Sequence, residues 1–357
     1  MKTMRLPHDS HSLPPEEVVP FRDAESGASG VIVLHSTALG PAAGGCRFWH
    51  YTSDQDAVVD ALRLAEGMAL KNALADLPFG GGKAVLRSPE RPHDRAALFR
   101  AFGRVVRELK GRYVTAEDVG TGVADMEVVA GETRHVAGLP PRDGRPGGDP
   151  SPWTALGVVQ AMRVAVRHRL DAELSDVTVA VQGLGHVGFA LCELLHGMGA
   201  KLIVAEPRSE VAARAADRFG AMVMSSKALL SARADVFAPC ALGGVLDAEA
   251  VAQLRARVVC GAANNQLADA DLAVRLAERD VLYAPDFLVN AGGIINVAGE
   301  HLGWNASEVR RRVMGVGQRM KTTLALAARE GMTPHEAART IAMDRMAQAR
   351  RVEAVAA

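Results

Sequence analysis

At 357 residues the chain exceeds what one hydrophobic core usually organises, so two domains are expected, and with 48% apolar residues each can bury its own core. Lys plus Arg and Asp plus Glu balance at 41 each, which removes the electrostatic argument for a nucleic-acid or membrane partner and leaves a small molecule as the expected ligand. Cys46, Cys192, Cys240 and Cys260 form no CxxC pair, which argues against a zinc site or a disulfide framework. No metal is expected, and a reducing cytoplasm suits the thiols. The opening MKTMRLPHDSHSLPPEE has no apolar core of signal-peptide length, and no run of about 18 apolar residues occurs, so a soluble, non-exported protein is expected.

In chain order, GVIVLH (30 to 35) reads as a short strand, and Ser53 to Ala75 carries Val58, Ala61, Leu62, Ala65, Met68 and Ala69 at helical spacing, with Asp54 and Asp56 suited to its first turn. Gly80 to Gly82 read as a glycine-rich loop leading into a strand at Ala84 to Leu86. His93 to Leu109 reads as a helix, Tyr113 to Thr115 as a third strand, and a further helix is expected from near Val123. Residues 138 to 152, GLPPRDGRPGGDPSP, cannot continue a helix and mark a domain junction. After a helix over Thr154 to Arg169 come VTVAVQ, AKLIVAE, DVFAPCA, RVVCGAAN and VLYAPDF, a succession typical of buried parallel strands alternating with helices. Ser307 to Ala349 is helical by periodicity, and its Arg310-Arg311-Arg312 run reads as a solvated helix face.

The strand Val177 to Gln182 runs directly into Gly183-Leu184-Gly185-His186-Val187-Gly188 and then a helix over Phe189 to Met198. That order fits a dinucleotide site: Gly183 permits the turn, Gly185 lets the backbone approach a pyrophosphate, and Gly188 lets helix and strand pack closely. Glu206 ends the next strand, where an acid accepts bonds from the adenosine ribose hydroxyls and repels a 2′-phosphate. NAD is therefore the expected cofactor, although Arg208 two residues on weakens the discrimination against NADP. Strand ends on the same side nominate Cys240 and Asn264, whose amide could hold the nicotinamide end or shape a turn.

In the first half, Lys83 follows three glycines. A phosphate-loop reading fails on spacing, because its first glycine would fall on Leu77 and its Ser/Thr on Ala84. A lysine in a glycine-rich, partly dry setting beside a second cation such as Lys71 would release its proton more readily and could act as a base. Glu117-Asp118 follows a strand, which makes Asp118 a candidate proton acceptor or, alternatively, a helix cap.

Taken together, GPAAGGCR (40 to 47), GMALKNA (67 to 73), LPFGGGKAV (77 to 85), TAEDVGT (115 to 121), DPSPWTALGV (149 to 158), GLGHVG (183 to 188), APCALGG (238 to 244), GAANNQL (261 to 267) and YAPDFLVNAGGIINV (283 to 297) resemble the Glu/Leu/Phe/Val dehydrogenase family, in its leucine, valine and phenylalanine branch. The likeness runs through roughly nine tenths of the chain. It implies an α/β fold of two domains: a substrate domain over 1 to 148, and a Rossmann-type doubly wound NAD domain over 149 to 332. A C-terminal helix, 333 to 357, would return to the first. It implies that Lys71 holds the substrate carboxylate, Lys83 activates water, Asp118 shuttles protons, and Gly44 and Gly45 bring backbone against the substrate. Ser151, Thr154, Cys240 and Asn264 would contact the nicotinamide end.

The side-chain pocket would be Ala43, Met68, Ala116, Ile294 and Val297, none charged, which disfavours glutamate. TAEDVGT looks like the leucine and valine enzymes, whereas LGPAAGG and LGWNASE…GMTPHEAAR look like a phenylalanine enzyme. A branched-chain amino acid is the favoured substrate, converted reversibly to a 2-oxo acid and ammonia, with an aromatic substrate as the alternative. A catalytically silent sensor would be expected to have lost Lys83 or Asp118, and both are present. The resemblance further implies a homo-oligomer.

Overall fold

The structure is a computed structural model and describes residues 14–141 and 146–356; residues 1–13, and residues 142–145 of the expected junction, lie outside it. The chain divides into two compact units. The first comprises Met1–Gly148, Val297–Ala306 and Ala342–Ala357, and the second Asp149–Asn296 and Ser307–Ile341. Val297–Ala306 thus groups with the first unit although it lies within the stretch read from sequence as the second domain.

The first unit is built on a five-stranded sheet of β1 (Glu17–Arg22), β2 (Ser29–Ser36), β3 (Ala42–Trp49), β4 (Gly80–Arg87) and β5 (Tyr113–Glu117), in the order β1-β2-β4-β3-β5. β1, β2 and β4 pair antiparallel, while β4, β3 and β5 pair parallel. β1 escaped the sequence reading because EVVPFR is short and contains Pro20, which a strand tolerates at a sheet edge, where β1 lies. Alternation along β2 sends Val31 and Val33 to one face and Ile32 and Leu34 to the other.

The first face packs on helix α1 (Asp54–Leu74) through Ala57, Val58, Ala61 and Ala65. Ser53 caps this helix, its Oγ accepting from the Asp56 N–H at 3.1 Å. The other face packs on α2 (Arg95–Glu108) and α3 (Val123–Ala130), with Leu98, Phe99, Phe102, Met126 and Tyr113 at its centre.

One sequence expectation changes here: Gly80 to Gly82 are strand residues of β4, not a loop, and Gly44-Gly45, to which no element was assigned, lie inside β3. The reason is close packing of backbone on backbone. A Cβ on Gly81 would fall 2.1 Å from the Ala69 amide nitrogen of α1, and one on Gly44 1.9 Å from the Gly82 carbonyl oxygen. Such strands lack the β-branched residues by which strands are usually recognised.

The second unit holds a six-stranded, all-parallel sheet: β6 (Thr178–Gln182), β7 (Lys201–Ala205), β8 (Met222–Val223), β9 (Val236–Pro239), β10 (Val258–Val259) and β11 (Leu282–Tyr283). Their order is β11-β10-β9-β6-β7-β8, so the winding reverses between β6 and β9, the doubly wound arrangement whose switch point opens a ligand crevice at the strand ends. Helix α4 (Ser151–Leu170) precedes the sheet, α5 (His186–Gly197) follows β6 and α6 (Ser209–Phe219) follows β7. The C-terminal helical stretch is interrupted near Gly315 and Gly331, giving helices Ala306–Met314, Val316–Glu330 and Pro334–Ala356.

Candidate active site

Lys83 and Asp118 meet. β4 carries Lys83 on the same face as Gly81 and Val85, toward α1, and the turn after β5 presents Asp118, so that Lys83 Nζ lies 2.9 Å from Asp118 Oδ1. Both side chains are largely out of solvent, at 5% and 14% exposure. The turn is fixed by Thr121, whose Oγ accepts from the Asp118 N–H at 2.8 Å and donates to the Cys46 carbonyl at 3.0 Å. An ionic neighbour of Lys83 is therefore a carboxylate, which the sequence did not pair with it. Burial pushes the Asp118 carboxyl up, but Lys83 and Arg47 outweigh it and hold the group below the usual carboxylate range.

Arg47 was not anticipated. Its Nε donates to Asp118 Oδ2 at 3.0 Å and its Nη1 to Asp60 Oδ2 at 2.9 Å, and the Tyr51 hydroxyl donates to the same Asp60 oxygen at 2.6 Å. Asn72 is a second residue that went unremarked. Fully buried on α1, it donates to the Gly80 carbonyl at 2.6 Å and the Ala43 carbonyl at 3.3 Å, tying the helix to β4 and β3.

The other expected substrate residues of this unit lie on the same elements. Met68 and Lys71, one turn apart and half-buried on α1, are close to the glycine strands, Met68 Cγ being 3.1 Å from where a Cβ on Gly44 would stand. Ala43 and Ala116 are buried on β3 and β5. A Cβ on Gly45 would meet the Glu117 carbonyl at 2.3 Å and Asp118 Cβ at 2.9 Å, so internal packing already requires both glycines. Ile294, in the second unit, and Val297, in the first, are three residues apart on the helix Gly292–Leu302, and both are half-buried.

In the second unit the glycine motif has the geometry a pyrophosphate turn needs. Gly183 adopts φ +90°, a Cβ on Gly188 would fall 2.0 Å from the Gly183 carbonyl, and nothing lies within 4 Å of a Cβ on Gly185. α5 begins at His186, three residues earlier than expected, so His186, Val187 and Gly188 form its first turn and their N–H groups face the loop. Glu206, just past β7, closes this loop: its Oε2 accepts from the Leu184 N–H at 2.8 Å and its Oε1 from Arg208 Nε at 2.7 Å. The Arg208 guanidinium, helped by the Leu184 N–H against partial burial, holds the Glu206 carboxyl at about 2.

Cys240 follows β9, its N–H donating to the Gln182 carbonyl at 2.8 Å, and burial pushes its thiol up to about 12. Asn264 Oδ1 accepts from Asn290 Nδ2 at 2.8 Å, a partner the sequence reading did not single out. Ser151 and Thr154 occupy the first turn of α4, where Thr154 Oγ lies 2.6 Å from where a Cβ on Gly293 would stand. An open glycine, free helix-end donors and an acid at the neighbouring strand end fit a dinucleotide. Among the described residues no cluster of His, Cys, Asp or Glu could hold a metal ion, and no helix is long and apolar enough to cross a membrane.

Residues 15–135 match the model of the Glu/Leu/Phe/Val dehydrogenase dimerisation domain, and residues 149–211 and 205–353 match that of glutamate/leucine/phenylalanine/valine dehydrogenase. The chain belongs to the Glu/Leu/Phe/Val dehydrogenase family. It is 44% identical to a leucine dehydrogenase of Thermoactinomyces intermedius over 336 residues, 94% of this chain and 90% of that enzyme. It is 47% identical to a valine dehydrogenase of Streptomyces albus, over 94% and 93% of the two chains. The crystal structure of L-tryptophan dehydrogenase from Nostoc punctiforme superposes with a TM-score of 0.81 at 36% identity, covering 94% of this chain and 97% of that one. As a member of this family, the chain is an amino-acid dehydrogenase that depends on a pyridine nucleotide.

Proposed function

We propose that this dehydrogenase oxidatively deaminates a branched-chain L-amino acid, leucine, valine or isoleucine, to the 2-oxo acid and ammonia, with NAD as the oxidant. The observation that carries the reading is the buried contact of Lys83 Nζ with Asp118 Oδ1 at 2.9 Å beside a glycine-lined stretch of β3 and β4. The first unit is the substrate domain and the second the NAD domain. Lys71 pairs with the α-carboxylate. Asp118, held as a carboxylate, takes a proton from the substrate ammonium, and the free amine can then release its Cα hydride.

The nicotinamide, when bound, supplies the hydride acceptor. Lys83, having released its own proton to solvent, takes a proton from the water that attacks the resulting iminium carbon; Asp118 gives its proton to the nitrogen, and the carboxylate so freed takes the hydroxyl proton as the carbonyl forms and ammonia leaves. Two cations near the α-carboxylate and the developing oxyanion stabilise the charge that builds there. The residues assigned to the substrate side chain, Ala43, Met68, Ala116, Ile294 and Val297, are all apolar, which suits a branched aliphatic chain and offers glutamate no counter-charge.

Gly183, Gly185, His186, Val187 and Gly188 take the pyrophosphate, and Glu206 the adenosine ribose. Ser151, Thr154, Cys240 and Asn264 take the nicotinamide end. The matched dimerisation domain supports assembly as a homo-oligomer. NADH production by the purified protein should be fastest with leucine, valine or isoleucine, slower with phenylalanine or tryptophan, and absent with glutamate. No turnover of any branched-chain substrate would remove the proposal.

A further inference from the structure

We propose that Arg47 is a positioning residue for the reaction, a bridge anchored on Asp60 and Tyr51 that holds one oxygen of Asp118 so that the other faces Lys83. The inference rests on the roles given above to Lys83 and Asp118. The terminal torsion of an aspartate is soft, so a carboxylate held at one oxygen by the flexible Lys83 could turn away from it. Arg47 removes that freedom. Its Nε holds Oδ2 at 3.0 Å while Lys83 keeps Oδ1 at 2.9 Å, so the two oxygens have separate cationic partners.

Arg47 is itself held at its far end by Asp60, and Asp60 by the Tyr51 hydroxyl, so the chain of bonds runs from the turn after β5 through β3 to α1. Only a planar guanidinium offers donors in a fixed fork that can serve two carboxylates at once; a lysine ammonium supplies the charge without the geometry. Two cations, Lys83 and Arg47, face two carboxylates, Asp118 and Asp60, so the cluster is neutral as a set. Removing Arg47 leaves each carboxylate one donor, Lys83 for Asp118 and Tyr51 for Asp60, which favours a folded variant.

The test is a double-mutant cycle on turnover. Arg47→Gln should lower kcat about ten- to a hundredfold, with KM for the amino acid within about twofold, and Arg47→Lys should recover part of the loss. In an Asp118→Asn background, Arg47→Gln should add nothing. If Arg47→Gln does not fold, Asp60→Asn replaces it in the cycle, with an expected loss of about two- to tenfold that likewise disappears beside Asp118→Asn. Full turnover of the Arg47 variant, or a loss that multiplies undiminished onto that of Asp118→Asn, would overturn the inference. Full turnover of Asp118→Asn alone would instead overturn the catalytic reading on which it rests.

Discussion

At the scale of single residues, the contact between Lys83 and Asp118 carries the proposed chemistry, and it can be cut without dismantling its surroundings. Breaking a buried ion pair usually strands a charge, at a cost of about 3–5 kcal/mol. Here Asp118 would keep Arg47 at 3.0 Å, so Lys83→Ala should stay folded. It should bind NADH as the parent does and lose about a hundred- to ten-thousandfold in kcat. Fluorescence titration of NADH with steady-state rates separates these, and near-normal turnover would place the base elsewhere.

Arg47 shows why part of the site was hidden in the sequence. Its carboxylate partners lie 13 and 71 residues away, so no local pattern around Arg47 points to them. Lys83 and Asp118 were plausible as candidates because each follows a strand or a glycine run, but their meeting depends on β4 and β5 flanking β3, which no local pattern encodes.

Among the elements, the two glycine-bearing strands carry the sharpest structural requirement. β4 accepts α1 so closely that a methyl group at Gly81 would meet Ala69 backbone atoms at 2.1 and 2.2 Å, neither of which can rotate away. Overpacking of this kind costs about 1–3 kcal/mol. Gly81→Ala should lower the melting temperature by several degrees and, because α1 also carries Lys71 and Met68, raise KM for the amino acid. An unchanged melting temperature would show that α1 can retreat freely. The same strands were the least legible stretches of the fold, since period-two hydrophobicity disappears where glycine replaces side chains. β10 and β11 contribute only two residues each to the ladder, so in their case the apolar runs marked the strands but not their lengths, and β8, equally short, lies outside every run read as a strand.

For the whole molecule, the second unit was the more readable, because its longer strands have apolar, buried centres and its glycine turn and acid follow consecutive strands at fixed spacing. The strand order was not readable; it follows from the right-handed crossovers that wind the chain outward in both directions from β6. The carboxylate of Glu206 bonds to the loop at Leu184, so on the proposed reading, in which it also takes the ribose, one side chain serves both loop shape and cofactor choice.

Glu206→Gln keeps an acceptor for Leu184 but drops the charge, and it should narrow the preference for NAD over NADP with little loss of stability. Glu206→Ala, which removes the tether as well, should weaken binding of both dinucleotides. Equal efficiency of the parent enzyme with NAD and NADP would show that this acid does not discriminate. On the proposed reading, an attempt to retarget the enzyme to the phosphorylated coenzyme by truncating Glu206 would loosen the glycine turn along with the charge, and a successful redesign would have to supply a new prop for that turn.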